Sequence, residues 1–201
     1  MITPNLLSVA TDTAHLFFPE YRNRQAFPSR RLLISPEERG RVTLRHHRGS
    51  FVGCFSLRLR KNIDWELFKR WKTNRNPAVT EQMAADFLPF IRNHYDCITT
   101  PPPSAGRSPI RYCTYDLARA VSRRTGIPFA PAFSQKTDKR CHGRHASLSQ
   151  SKPNLLDTWQ VRNSSILFLD DCITSGTTAR LCYEALVATG NHVDGLIWVA
   201  S

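Results

Sequence analysis

The sequence ILFLDDCITSGTT, residues 166–178, carries the strongest signal for the fold of this chain. Its first four residues, 166–169, are apolar without interruption, which is typical of a parallel strand buried on both faces. The segment 177–189 carries apolar residues at helical spacing and is followed by Gly190, a residue that favours a helix end. The stretch therefore predicts a buried strand, a short polar turn and a helix, the unit from which α/β proteins are built.

The polar turn of this unit lies at the N-terminus of the predicted helix. Unpaired backbone N–H groups and the positive end of the helix dipole favour an anion there. The turn also supplies hydroxyl groups and a glycine, at Thr174, Ser175, Gly176, Thr177 and Thr178. These residues are therefore predicted to bind a phosphate group.

Two consecutive carboxylates, Asp170 and Asp171, precede the turn. They would repel a phosphate, so they require hydroxyl donors or a cation as partners. A ribose diol together with Mg²⁺ satisfies both requirements. A helix-capping Asp-Asp turn is the competing interpretation, although one capping residue would be enough for that purpose.

This order of residues resembles the signature of the type I phosphoribosyltransferases, which is a hydrophobic strand, two acidic residues, two mostly aliphatic residues and a Thr/Ser/Gly loop. Cys172 stands where an aliphatic residue is usual. The resemblance implies an α/β fold with a doubly wound parallel sheet of the type I phosphoribosyltransferase kind and an N-terminal hood or extension. It also implies that Asp170 and Asp171, the predicted catalytic residues, hold the ribose hydroxyls of phosphoribosyl pyrophosphate, while residues 174–178 hold its 5-phosphate. Mg²⁺ is then expected to arrive with the ligand, without a direct protein ligand.

Two further segments correspond, under this resemblance, to the family's pyrophosphate-contacting loops. The turn 99–107 contains three consecutive prolines, which remove three backbone donors, and a rigid proline turn without a ligand is an equally weighted alternative. The segment 134–153 has no periodicity and occupies the place of the family's flexible catalytic loop. The predicted pyrophosphate contacts in and near these segments are Thr99, Thr100, Arg107, Lys136, Lys139 and Arg140.

Within this family, residues 55–200 resemble the ComF-type proteins of bacterial DNA uptake. The predicted helices in 63–88, the first of them centred on a lysine, and the segment 117–121 carry this resemblance. The four-cysteine zinc module common in that group is missing, and residues 110–114 differ from the Arg-Gly-aromatic-Asn-Gln stretch expected there. The chain is therefore interpreted as a divergent ComF-like member.

Two regions are predicted, an N-terminal extension and hood at 1–93 and a phosphoribosyltransferase-like core at 94–201. The elements expected in the first region are a hairpin (41–44 and 51–60, with a turn at 46–49), a helix at 65–73 capped by Asp64, and a helix at 81–93 capped by Thr80. Those expected in the second, besides the 166–190 unit, are a strand at 97–100, a helix from Ser108 to Gly126 and a proline-interrupted edge strand at 127–133.

The composition of the chain limits the class of protein to which it can belong. The 201 residues are 41% apolar, which suits a globular protein, and no run approaches the length of a membrane span. The first 14 residues lack the features of a signal peptide, so a cytoplasmic protein without membrane contact is expected. The six cysteines form no CxxC pair and are expected to be buried thiols.

The net charge of +12 is concentrated in the basic, aromatic-containing N-terminal third. Such a region can bind nucleic acid or simply remain solvated. The sequence therefore leaves open whether the chain is an enzyme. One reading is a transferase that moves the phosphoribosyl group to a nitrogen acceptor and releases pyrophosphate. The alternative is a non-catalytic sensor of phosphoribosyl pyrophosphate or a nucleotide, or a nucleic-acid-associated protein, on the same fold. A homodimer is also left open.

Overall fold

The computed structural model describes residues 45–46, 50–51, 53–103, 112–134 and 153–201. Its strands and helices follow the chain as β1 Arg45–His46, β2 Cys54–Leu59, α1 Trp65–Asn74, α2 Pro77–Phe87, β3 Cys97–Thr99, α3 Cys113–Thr125, β4 Ser165–Ile173, α4 Thr177–Val187 and β5 His192–Ala200. Short 3-10 helices, Arg60–Asn62 and Leu88–Phe90, follow β2 and α2.

In this described part of the chain, five strands form one sheet in the order β1-β2-β5-β4-β3. Neighbouring strands are parallel except for the short edge strand β1, which pairs antiparallel with β2. β4 and β5 have a strand on each side and are buried along most of their length, which explains their continuous apolar runs. The predicted α/β fold with a parallel sheet is confirmed.

Helices cover both faces of the sheet. On one face, α1, α2 and α3 contribute Phe68, Met83 and Leu117 to a common apolar cluster. On the other face, α4 contributes Cys182 and Leu186 to a second cluster. The two layers hold the central strands between them, so the position of the carboxyl end of β4 is determined by packing from both sides.

The helix α1 begins as the sequence predicts, because the backbone N–H of Leu67 donates to Asp64 Oδ1 at 3.0 Å. The predicted start of the next helix at Thr80 is wrong. α2 begins at Pro77, and its cap is Asn76, whose side chain accepts from the N–H of Ala78 at 2.9 Å. An Asn-Pro pair is a strong start signal, since Asn caps well and Pro suits the first helical position. The helix also ends at Phe87 and not at residue 93.

The predicted edge strand at 127–133 is reduced to isolated contacts with other segments. Ile98 donates its N–H to the carbonyl of Pro128 at 2.8 Å and accepts from the N–H of Ala130 at 2.9 Å. The two prolines cannot donate, which is why the pairing does not extend along the segment. As predicted, α3 ends at Gly126, which caps the helix and has a left-handed backbone conformation. Its predicted start at Ser108 is wrong, because the helix begins at Cys113 and the preceding Tyr112 has an extended backbone that interrupts any helix from residue 108.

Two smaller differences concern the first region of the chain. His46 belongs to β1, where the sequence predicted a turn, and residues 41–44 lie outside the described part. The division of the chain at residue 93 stays a prediction.

Candidate functional site

The paired carboxylates lie inside β4 and not in the turn that follows it. Asp170 pairs with Ile197 of β5 and Cys172 with Val199, so the strand continues to Ile173. Both carboxylate residues are buried, and the N–H of Asp171 donates to Asp170 Oδ1 at 2.8 Å. The sheet therefore holds the pair rigidly at its carboxyl edge, the position where α/β proteins bind ligands.

The loop after β4 and the start of α4 form the predicted phosphate site. Gly176 has φ +77°, a left-handed conformation that favours glycine, and it caps α4. Ser175 Oγ lies 3.1 Å from Thr177 Oγ1 and accepts weakly from the N–H of Thr177 at 3.4 Å. Thr174 and Ser175 are exposed, while Thr177 and Thr178 are half-buried. All five residues that the sequence predicts to bind phosphate therefore lie together at one helix N-terminus, beside the carboxylates.

Lys72 of α1 joins this site, although the sequence did not single it out as a site residue. Its Nζ is 2.8 Å from Asp171 Oδ2. The contact depends on packing between α1 and the sheet, which no local pattern reveals. The one available signal is its place next to Trp71 and one turn after Phe68, both buried, which turns this part of α1 toward the sheet.

The electrostatics of the carboxylate pair are dominated by burial. Burial, and then the neighbouring charge of Asp171, raises the pKa of Asp170 well above its usual range. Burial would lower the pKa of Lys72, but the carboxylate of Asp171 outweighs it and the net pKa is raised, so Lys72 is an ammonium. The carboxylate of Asp171 thus faces the ammonium of Lys72, and Asp170 favours its protonated form in the free protein.

Tyr112 and Cys113, at the start of α3, approach the same pair. Burial, followed by the charges of Asp170 and Asp171, raises the pKa of Tyr112 well above its usual range, so its phenol stays protonated. Cys113 Sγ lies 4.0 Å from Asp171 Oδ2 and is its weak donor. The site therefore combines residues from α1, α3 and β4, and these long-range neighbours are the ones that sequence reasoning missed.

The predicted pyrophosphate residues are only partly within the described chain. Thr99 is the last residue of β3 and Thr100 follows it. Because β3 pairs with β4, both lie at the same edge of the sheet as the carboxylates. Both are buried, and both hydroxyls have partners within the chain. Thr99 Oγ1 accepts from the N–H of Ala132 at 3.1 Å, and the hydroxyl of Thr100 donates to the carbonyl of Pro101 at 3.2 Å. Arg107, Lys136, Lys139 and Arg140 lie outside the described residues, and the pyrophosphate role of the whole set stays a prediction.

The donor atoms of this site fit Mg²⁺ only in part. Among the described residues, no cluster of three or more His, Cys, Asp or Glu side chains is placed to hold a metal ion. Asp170 and Asp171 offer the hard oxygen ligands that Mg²⁺ prefers, but Lys72 already contacts one of them. These residues fit an Mg²⁺ ion carried by a polyphosphate ligand better than an ion held by the protein alone.

Several phosphoribosyltransferases are among the solved structures to which the chain is similar. An adenine phosphoribosyltransferase from Trypanosoma brucei, in complex with AMP, pyrophosphate and ribose-5-phosphate, is 13% identical over 79% of this chain and 86% of that chain, with a TM-score of 0.49. The adenine phosphoribosyltransferase from Thermoanaerobacter pseudethanolicus is 10% identical over 64% of this chain and 84% of that one, with a TM-score of 0.45. UMP synthase from Leishmania donovani is 16% identical over 63% of this chain and 23% of that one, with a TM-score of 0.42.

At 10–16% identity and TM-scores of 0.42–0.49, these similarities concern the fold alone. The matched region spans only 23% of the UMP synthase chain. No protein-family model matches the sequence, and no curated protein matches it either. The ComF-like relationship stays a prediction. Among the described helices, none combines the length and apolar character needed to cross a lipid bilayer.

Proposed function

We propose that this chain binds phosphoribosyl pyrophosphate together with Mg²⁺ at the carboxyl end of β4 and transfers the phosphoribosyl group to a nitrogen acceptor. The observation that carries the proposal is the direct succession of a rigid, buried carboxylate pair and a helix N-terminus rich in hydroxyls. The two parts have opposite ligand preferences, since carboxylates accept from hydroxyl groups and the helix N-terminus binds anions. A phosphorylated ribose carries both kinds of group on one small molecule.

In the proposed complex, Asp170 and Asp171 accept hydrogen bonds from the ribose hydroxyls, and the loop 174–178 donates to the 5-phosphate. Because the strand holds the carboxylates, the sugar is positioned before reaction, which lowers the entropic cost of the chemical step. Mg²⁺, when it is bound with the ligand, neutralises part of the pyrophosphate charge.

The proposed reaction replaces pyrophosphate at C1 of the ribose. The bond from C1 to the pyrophosphate oxygen breaks, a bond from C1 to the acceptor nitrogen forms, and pyrophosphate leaves with the electron pair. Positive charge develops on the ribose ring between these events. The nearby carboxylates favour that charge, and this electrostatic effect is the catalytic contribution that the buried pair supports.

Titration calorimetry with phosphoribosyl pyrophosphate and Mg²⁺ tests the proposal. The unsubstituted chain is compared with the Asp170→Asn, Asp171→Asn double variant and with Asp157→Asn, an exposed aspartate, as the matched control. We expect binding by the unsubstituted chain and by the control, and at least a hundredfold loss in the double variant, roughly 3 kcal/mol. Absence of binding by the unsubstituted chain would contradict the proposal.

A second assay separates the enzyme from the non-catalytic sensor. Pyrophosphate release is measured while purine, pyrimidine and amine acceptors are offered in turn. Release that depends on one acceptor and is lost in the double variant supports transfer. Tight binding without release by any acceptor favours the sensor, for which the same carboxylates and phosphate loop would serve as the ligand site.

A further inference from the structure

Lys72 reaches the carboxylate pair from the predicted N-terminal extension. It lies in the last turn of α1, and its Nζ is 2.8 Å from Asp171 Oδ2 and 5.1 Å from the ring centroid of Phe68. Phe68 and Trp71 are each only 1% exposed, so the core fixes the rotation of α1 about its axis. The direction of the Lys72 side chain is therefore set by packing, and the contact with Asp171 is a built feature of the fold.

The charged and titratable groups around Lys72 and the carboxylate pair come from several elements. β4 contributes Asp170, Asp171 and Cys172, the segment after β2 contributes Arg60, and Tyr112 precedes α3. Two adjacent buried carboxylates repel each other and are costly to ionise. Burial and the charge of Asp171 raise the pKa of Asp170, and the charge of Lys72 opposes that rise. Lys72 also contacts Asp171 directly.

An ion pair that only stabilised the fold would be the simpler interpretation. The burial of the two partners argues for a further role, because the Lys72 side chain is 32% exposed while that of Asp171 is 4% exposed. The ammonium thus stands at the solvent boundary of the site, and an ammonium has three donors. A ligand can approach from this side while Lys72 keeps its contact with Asp171.

We propose that Lys72 is a positioning residue of the sugar-phosphate site, which holds the carboxylate of Asp171 in the orientation that accepts hydrogen bonds from the ribose hydroxyls. This inference rests on the proposed function and deepens it. It assigns α1, an element of the predicted extension, to the ligand site. One consequence is that residues 94–201 lack a part of the site.

The test measures the affinity of the full chain for ribose 5-phosphate by calorimetry, in the presence of EDTA, from about pH 6 to about pH 8. The variants are Lys72→Met, which removes the charge, Lys72→Arg, which keeps it, and Lys69→Met as the control. Lys69 lies on the same helix, is 53% exposed and pairs with Glu66 at 2.7 Å, away from the carboxylates.

We expect Lys72→Met to bind about tenfold more weakly near neutral pH, a loss of roughly 1.4 kcal/mol. The ratio of its affinity to that of the unsubstituted chain should fall further as the pH falls, because the charge of Lys72 opposes protonation of Asp170 and its loss lets that carboxyl take up a proton more readily. Using the ratio cancels the titration of the ligand phosphate. Lys72→Arg should give a ratio that does not change with pH, and Lys69→Met should bind as the unsubstituted chain does.

Equal affinities, or a Lys72→Met ratio that does not change with pH, would overturn this inference and leave the proposed function in place. No binding of ribose 5-phosphate or phosphoribosyl pyrophosphate by the unsubstituted chain would overturn both. Circular dichroism checks that each variant is folded. If Lys72→Met does not fold, Lys72→Gln, which retains a polar side chain, takes its place with the same expected ratios.

Discussion

The guanidinium of Arg75 donates two hydrogen bonds to the carboxylate of Asp116, one from Nε and one from Nη2. Arg75 ends α1 with φ 54°, and Asp116 lies in the first turn of α3. The pair therefore joins the helix that carries Lys72 to the helix that follows Tyr112. Because both of those residues belong to the candidate site, the ion pair helps to hold the site together.

Replacing Arg75 is expected to destabilise the fold. The side chain of Arg75 is 5% exposed and that of Asp116 is 22% exposed. Removal of the Arg75 cation therefore leaves a largely buried carboxylate, with Arg119 Nη1 at 3.7 Å from Asp116 Oδ1 as a remaining cationic neighbour. Arg75→Ala should lower the free energy of unfolding by about 2–3 kcal/mol. Arg75→Gly loses the same pair but relieves the left-handed backbone, and should cost about 1 kcal/mol less. Urea unfolding of both variants measures the difference, and equal losses would contradict the assignment of backbone strain.

Two glycines with nearly the same backbone conformation allow the phosphate loop to be tested against a control. Gly176 has φ +77° in the loop, and Gly126 has φ +76° at the end of α3, where an added Cβ would meet no atom within 4 Å. Alanine at either position should cost about 1 kcal/mol of stability. Only Gly176→Ala should also weaken the binding of ribose 5-phosphate, by about tenfold or more, because it displaces the N–H groups at the start of α4.

Thermal melting and calorimetry on the same two samples provide this comparison. If Gly126→Ala weakens the ligand as strongly as Gly176→Ala does, the effect on binding arises from general destabilisation. In that case the loop would lose its support as the phosphate site.

The raised pKa of Asp170 predicts how stability changes with pH. The folded protein holds a proton on Asp170 at pH values where the unfolded chain, with its ordinary pKa of 3.8, has released it. Over that window the folded state binds more protons, so the free energy of unfolding falls as the pH rises. Asp170→Asn removes this dependence and still offers Oδ1 to the N–H of Asp171.

We therefore expect Asp170→Asn to melt at a higher temperature than the unsubstituted chain at about pH 8, with the gain shrinking toward about pH 4. Melting curves across this range measure the gain. A gain that is the same at all pH values would show that the substitution acts through something other than ionisation. Loss of ligand binding in a more stable variant would identify Asp170 as a residue retained for function at a cost in stability.

Three thiols are expected to resist alkylation in the folded protein. Burial raises the pKa of Cys54 to about 11 and that of Cys97 to about 12, and burial together with the charge of Asp171 raises that of Cys172 to about 12. The thiolate is the reactive form, so iodoacetamide at about pH 8 should modify these residues slowly. Mass spectrometry of the labelled protein measures each site, with the urea-unfolded chain as the fully reactive reference. Labelling of Cys172 at equal rates in both states would contradict the burial of the site.

The carboxylates and the hydroxyl-rich loop of the site can be predicted from residues 166–178 alone. The residues that contact them from other elements depend on how those elements pack against the sheet. The apolar run, the carboxylates and the hydroxyl turn are contiguous, so their order in the chain already places them on one strand, loop and helix. The sequence predicted that β4 ends at residue 169, because aspartate has a low propensity for strands. Pairing with β5 shows that the strand continues through the carboxylates to Ile173. The start of α2 was missed for a local reason, since the Asn76 signal is present in the sequence.

Local sequence therefore specifies the β4-turn-α4 unit, the capped start of α1 and the glycine end of α3, because each depends on hydrogen bonds and apolar spacing within a short segment. The folded chain alone shows that Lys72 contacts Asp171, that Tyr112 approaches the same pair, and that the Thr99 hydroxyl accepts from the N–H of Ala132. These relationships depend on strand order, register and helix packing. Segments that are far apart in the sequence bury these residues together, and a local sequence pattern does not show which distant segments will pack against each other.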